Sequence, residues 1–169
     1  MMSDLYSEIL VKRQTGSMDM LKKGGLIALI LLLAVGGILI SPILLLAAVV
    51  LGVVSWFFVF PLFHVEYEYL IVNKELDIDA IYAQQKRKTV AKYNLENMDL
   101  LAPLNSHRME YYNGNTQMKV RDFSSGDKSK IPYAMVVKGD NGAEKVLLEI
   151  DANTAESIKK TYPNKVFLD

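Results

Sequence analysis

Glu68, Asp77 and Asp79 are the side chains best suited to hold a divalent cation, because all three are hard oxygen donors. Their spacing does not form a calcium loop, so any site would depend on strand pairing. A two-residue turn at Asn73-Lys74 sets Glu68 opposite Asp79 and Leu70 opposite Asp77. Facing carboxylates repel. A four-residue connection over 83–86 then brings Lys92 opposite Asp77 and Lys88 diagonal to Asp79, which makes a charge-balanced, solvated face the simpler reading. His64 borders an apolar run, and His107 sits between Ser106 and Arg108 in a polar loop. A catalytic base there needs an orienting carboxylate and a nucleophile within reach. Cysteine is absent, which removes disulfides, thiol catalysis and thiolate metal sites. No phosphate-cradling glycine loop, dinucleotide fingerprint, serine elbow or metalloprotease helix is present. The residues therefore predict no catalytic, cofactor or metal site.

The basic triplet Lys86, Arg87 and Lys88 is the sharpest local feature. It reads either as a contact for anionic lipid or a partner, or as a solvated hairpin end. Near an anionic leaflet each cation gains about 1 kcal/mol.

The element that must position these groups is an apolar run. No charged residue lies between Lys23 and Glu66, and residues 24–63 are mostly Leu, Ile, Val, Ala and Phe. As one helix this run would reach roughly 60 Å, about twice the hydrocarbon thickness of a bilayer. It must turn back, and Ser41-Pro42 is the place, since proline lacks an amide proton and disfavours helix before it. Spans over 24–40 and 43–63 follow, in a transmembrane hairpin. One span with a re-entrant segment is the alternative. A cleaved signal peptide fits poorly, because the run starts late and lacks a small-residue cleavage site.

Lys12, Arg13, Lys22 and Lys23 precede the first span, and the short turn carries no charge. Positive charge stays inside, which predicts two spans in the cell membrane with both termini cytoplasmic. Lys22 and Lys23 snorkel to one interface. Trp56, Phe57, Phe60 and Phe63, with Phe58, crowd the end of the second span, where aromatics favour the interface. Neither span holds an ionisable side chain, which argues against a transporter or channel acting alone. Ala48, Gly52 and Ser55 form a small-residue stripe matched by Gly24, Ala28 and Gly36. It serves either packing within the hairpin or a homodimer.

The flanks differ from the run. Residues 1–23 form an N-terminal amphipathic segment, in which Ser3 caps a short helix to about Lys12 with Leu5 and Ile9 on one face. That helix lies on the membrane or on the following domain. Residues 64–169 alternate with period two over 65–71 and 76–82, with further strands predicted at 87–94, 98–102, 116–123, 132–138 and 145–150. Turns fall at Asn113-Gly114-Asn115, Ser125-Gly126-Asp127 and Gly139-Asp140-Asn141-Gly142. A closing helix starts at Asp151 or Asn153 and ends at Pro163. Seven antiparallel strands and one helix make a bent sheet or half-open barrel with a helix plugging one end. Four basic against three acidic residues in 1–23, and fifteen against sixteen in 64–169, leave no basic excess for nucleic acid.

Residues 6–13, Tyr67-Glu68-Tyr69, 75–79, Arg87-Lys88, Leu101-Ala102-Pro103 and 149–163 together resemble a bacterial family of membrane-anchored proteins. In that family two transmembrane helices are followed by a pleckstrin-homology-like domain. The resemblance implies a seven-strand sheet capped by a helix, and binding or scaffolding in place of catalysis. Eukaryotic-type domains of this fold take phosphoinositides on a basic first hairpin loop. Read as Asn73-Lys74 followed by Glu75, that loop does not fit. The expected function is a non-catalytic, membrane-tethered module offering a cytoplasmic β domain to a protein partner or the inner leaflet. The alternatives are an accessory subunit of a larger membrane complex and, further off, a tethered hydrolase using His107.

Overall fold

A computed structural model describes residues 5–139 and 142–169. Two units emerge: one comprises Gln14–Val65 with Tyr82–Lys86, and the other comprises the N-terminal residues through Arg13, Glu66–Ile81 and Arg87–Asp169.

The first unit is built on two helices. Helix α1 spans Ser17–Leu39 and helix α2 spans Pro42–Val54. The turn falls at Ser41-Pro42, where Ser41 is extended and Pro42 opens α2 without losing a helical hydrogen bond. The N–H groups of Ile40 and Ser41 both donate to the Gly36 carbonyl, which closes α1. Gly37 lets the chains approach: a Cβ there would stand 2.4 Å from the Leu45 nitrogen. Ala48 and Ser55 are buried on the same seam, while Gly24 and Ala28 are exposed. Gly24 and Ala28 of the expected stripe thus lie off the contact while Gly36 lies against Leu44, because the seam follows Leu26, Ile30, Leu33 and Gly37 at three- and four-residue spacing. After Val54 the helix loosens to a π turn over Ser55–Val59 and tightens to a 3₁₀ turn over Phe60–Phe63. Pro61 interrupts the regular ladder there. Helix α1 begins before Lys22 and Lys23, so both lysines sit on helix and not ahead of it.

The second unit holds two four-stranded sheets. The first runs β1 (Tyr6–Lys12), β2 (Val65–Val72), β3 (Glu75–Tyr82), β4 (Lys86–Asn94) in that spatial order. The second contains β5 (Met98–Pro103), β6 (Lys119–Asp122), β7 (Tyr133–Gly139) and β8 (Gly142–Leu148), ordered β5-β7-β8-β6. Expectation and structure differ in three places. Residues expected as an N-terminal helix form β1, antiparallel to β2 with Tyr6 against Val72 and Lys12 against Glu66. Leu5 and Ile9 satisfy both a four-residue and a two-residue repeat, and pairing with β2 decides for the latter. The expected cap, Ser3, lies outside the described residues. Among the described residues the strands therefore number eight in two sheets, not seven in one. Finally, β6 is shorter than 116–123 and parallel to β8, so the order is not wholly antiparallel. Strands β7 and β8 form the expected hairpin, with Gly139 against Gly142, although Asp140 and Asn141 lie outside the described residues.

Tyr69, Ile71, Leu76 and Ile78 from the first sheet and Leu101, Met135 and Val146 from the second share one core. Helix α3 (Ala152–Thr161) is capped by Asp151, whose side chain accepts from the Thr154 N–H at 3.3 Å. It packs Ile158 into that core. Beyond it the chain pairs with β5: Leu101 N–H donates to the Lys165 carbonyl and Phe167 N–H to that of Leu101, both at 2.8 Å.

Candidate functional site: the helical insertion and the ends of the first sheet

Strands β1 and β2 are neighbours in space, yet 52 residues separate Lys12 from Val65 in the chain, and those residues contain both helices. The first hairpin connection of the β unit is therefore the helical pair itself. Asn73-Lys74, expected to be that first loop, joins β2 to β3 instead. Antiparallel order sends the β3–β4 turn back to the end of the sheet where the helices enter. The Ala83 N–H there donates to the His64 carbonyl at 2.8 Å.

That turn carries the basic triplet. It has three residues, Ala83–Gln85 in number, with Ala83 and Gln84 both at positive φ (48° and 58°), and is one residue shorter than expected. Losing one residue changes which face a side chain takes at the start of β4. Arg87, in place of Lys88, meets the acidic face: its guanidinium pairs with Glu68, and its Nε lies 3.2 Å from Asp79. Lys92 bonds Asp77 at 2.6 Å, the partner expected for it, although the shorter turn carried straight along β4 would set Leu76 opposite Lys92. That contact raises the Lys92 ammonium pKa. The three carboxylates that could have served a divalent ion thus all have cationic partners. Among the described residues no group of three His, Asp or Glu side chains is arranged to hold a metal. Lys86 and Lys88 are exposed and have no ion pair among the described residues.

At the open end of the helical pair, groups distant in sequence come together. The Lys23 ammonium lies 5.5 Å from the Phe60 ring centroid, and Phe60 meets Trp56 edge-on at 6.1 Å. Trp56 and Phe57 point outward, Lys22 is exposed, and Phe63 is half-buried. His64 Nδ1 lies 3.4 Å from the Phe60 carbonyl. His107 opens a short turn capped by Ser106; its ring is exposed and makes no bond among the described residues.

Two features escaped the sequence reading. One is the Tyr69 hydroxyl, fully buried, which donates to the Phe123 carbonyl at 2.6 Å and accepts from the Glu149 N–H at 3.4 Å, joining the two sheets. Burial drives its pKa well above the ordinary value. The other is an open groove of about 550 Å³ along Ile9–Lys12, walled by Ser125, Lys130, Ile131 and residues 149–151. Glu149 forms part of this wall, accepting from the Ser125 N–H at 2.7 Å and from Lys130 at 3.3 Å. The alternation Glu8-x-Leu10-x-Lys12 was the available signal for the groove, once residues 6–12 are taken as strand.

No curated protein and no solved structure matches the chain. A family model described as a bacterial PH-like domain matches residues 3–168, and that stretch takes in the helices as well as both sheets. A β unit of two packed sheets closed by a C-terminal helix, with the helical pair spliced into its first hairpin, belongs to the bacterial PH-like domain family.

Proposed function

We propose that the chain is a membrane-anchored, non-catalytic interaction module, with both termini cytoplasmic and its PH-like domain held at the inner leaflet. The observation that carries this is the helical pair spliced between two paired strands. Only 6% and 11% of the two apolar windows are buried, so their large side chains face outward. A water-soluble protein rarely exposes so large a contiguous apolar surface. Both ends of the insertion return to adjacent positions, Lys12 and Glu66, in one sheet. An apolar segment leaving and rejoining one sheet crosses a bilayer an even number of times, which favours a two-span hairpin over one span with a re-entrant segment. Lys22, Lys23, Trp56 and Phe60 gather at the open end, the composition an interface selects. Lys86 and Lys88 add charge at that end of the sheet, each gaining about 1 kcal/mol near anionic lipid. An exposed, unpartnered His107 and carboxylates committed to cations support a binding role over a hydrolytic one.

Single cysteines introduced at Ser41, Lys74 and Asp169 test the anchoring, since the native chain has none. An impermeant maleimide applied to intact cells should label position 41 and spare 74 and 169. The opposite pattern reverses the orientation, and uniform labelling removes the spans. Photoreactive residues at Lys74, Lys88, His107 and Lys130 then test the partner class. Adducts to one protein support a protein partner, while lipid adducts concentrated at Lys88 support a reader of the leaflet. The accessory-subunit reading draws on Gly24 and Ala28, which stand open on the outer face of α1, where another helix would pack. A stable detergent-solubilised monomer would count against it.

A further inference from the structure

The first sheet ends in two edges that differ in chemistry. Strand β4 presents Lys86 and Lys88, which have no ion pair among the described residues, and exposed lysines on an edge discourage further pairing. Strand β1 presents Tyr6, Glu8, Leu10 and Lys12, with Tyr6 and Leu10 65% and 59% exposed. The Asn73 N–H donates to the Leu5 carbonyl at 2.6 Å, which sets the alternation along β1. Ser7, Ile9 and Val11 then turn their peptide groups to β2, and Tyr6, Glu8, Leu10 and Lys12 turn theirs to the free edge. No hydrogen bond among the described residues uses those outward groups. The groove along Ile9–Lys12 leaves them accessible.

The strand that would fit this edge can be written residue by residue. Antiparallel pairing centred on Leu10 requires an acidic residue opposite Lys12, an apolar one opposite Leu10 and a basic one opposite Glu8. Reading along the incoming strand, that is acidic-x-apolar-x-basic, and Glu8-Ile9-Leu10-Val11-Lys12 is such a segment. We infer that the free edge of β1 is a self-complementary docking surface for β1 of a second copy of this chain. A two-fold axis at Leu10 joins two first sheets into one eight-stranded sheet. Leu10 then faces Leu10, and each Glu8 faces Lys12 of the other copy. Charge selects the register. Centring on Glu8 or on Lys12 opposes like charges, and the settings between leave both ions opposite uncharged side chains. Lys12 makes no ion pair among the described residues, although Glu66 stands opposite it on β2, and Glu8 accepts only from the exposed Tyr6 hydroxyl at 3.1 Å, so both charges can reach across the edge. Three outward residues per strand give about six backbone hydrogen bonds across the pair. The inference goes beyond the anchoring proposal and stands on the β unit alone. Its two-fold axis runs normal to the sheet, so two copies anchored in one leaflet pair this way only with the joined sheet lying along the membrane.

The test uses the full chain, in native membranes or detergent, with one cysteine in place of Leu10 and a short bismaleimide. Paired strands bring the two Cα atoms to about 5.5 Å, so L10C should give a product of twice the chain mass. Lys92→Cys on the other edge should not. In the L10C background, Glu8→Lys or Lys12→Glu alone should weaken self-association about tenfold, by replacing attraction with repulsion in both symmetric pairs. The double exchange E8K/K12E should restore it. Glu8 faces Leu70 within the fold, so E8K carries the test, whereas K12E also opposes Glu66 and is read beside its thermal unfolding. Absence of the L10C product, adducts only to a different protein, or a double exchange as weak as either single variant would overturn the inference.

Discussion

The helical pair and the β unit bury opposite kinds of residue. In the β unit the large side chains Tyr69, Leu76, Ile78 and Leu101 are enclosed, and charge lies outside apart from Lys145, whose ammonium bonds Asn113. In the helical pair the small residues Gly37, Ala48 and Ser55 are enclosed, while Leu32, Ile38 and Ile43 face out. The β unit gains stability by removing apolar area from water. The helices bury too little for that, and they close on one another through backbone proximity and dispersion, the forces available where the surroundings are themselves apolar. The proposed bilayer is the environment in which both arrangements are favourable at once.

Substitution in the two regions tests this contrast. Gly37→Leu should have the largest effect, since even the first carbon of a side chain meets Leu45 backbone that cannot rotate away. A loss of about 3 kcal/mol in the detergent-solubilised chain is expected, read by thermal unfolding. Gly24→Ala, with nothing within 4 Å of the new carbon, should leave the transition unchanged or slightly raised. Equal effects at the two glycines would remove the close seam from the account.

Tyr69→Phe comes next. It deletes the hydroxyl that joins the sheets and strands the Phe123 carbonyl, at a cost of about 2 kcal/mol in denaturant titration. The same hydroxyl gives a pH signature. Its proton is held more tightly in the folded chain than at the unfolded value of 10.0. The folded state therefore carries more bound proton above that pH, and stability falls as pH rises past 10.0. Other tyrosines shifted upward contribute as well, among them Tyr93 and Tyr133. The Phe variant should show a shallower alkaline decline, and an unchanged slope would mean that Tyr69 is not the buried link described.

Asp151→Ala removes the cap of α3 and should lower stability by about 1 kcal/mol in the same titration. The smallest effect separates neighbours in the basic triplet. Arg87→Ala releases Glu68 and Asp79 to face each other unshielded, but the guanidinium is 54% exposed and solvent already screens it. A cost of about 0.5 kcal/mol is expected, against no measurable change for Lys88→Ala. A reversed order would return Lys88 to the acidic face.

Several elements were legible because their signals are local. The charge-free run, the break at Ser41-Pro42, the period-two strands β2 and β3 and the Asp151 cap each depend on neighbouring residues alone. Lys92 against Asp77 was named correctly, but not through register: the turn it was counted from is one residue shorter, and that shift does not persist as far as Lys92. The position of Arg87 was not. Two consecutive positive-φ residues, Ala83 and Gln84, shorten the turn, and neither residue type advertises that conformation.

The chain's sequence by itself determined that it contains two long apolar helices joined at a proline, followed by an alternating β region closed by a helix. Hydrophobic period and proline chemistry act over a few residues and need no partner. Only the tertiary structure decided that residues 6–12 are a strand, that the helices are spliced into the first hairpin, that β6 runs parallel to β8, and that the β1 edge stays open. Each depends on pairing between segments far apart in sequence. The free energy of such a pair resides in contacts that neither segment possesses alone.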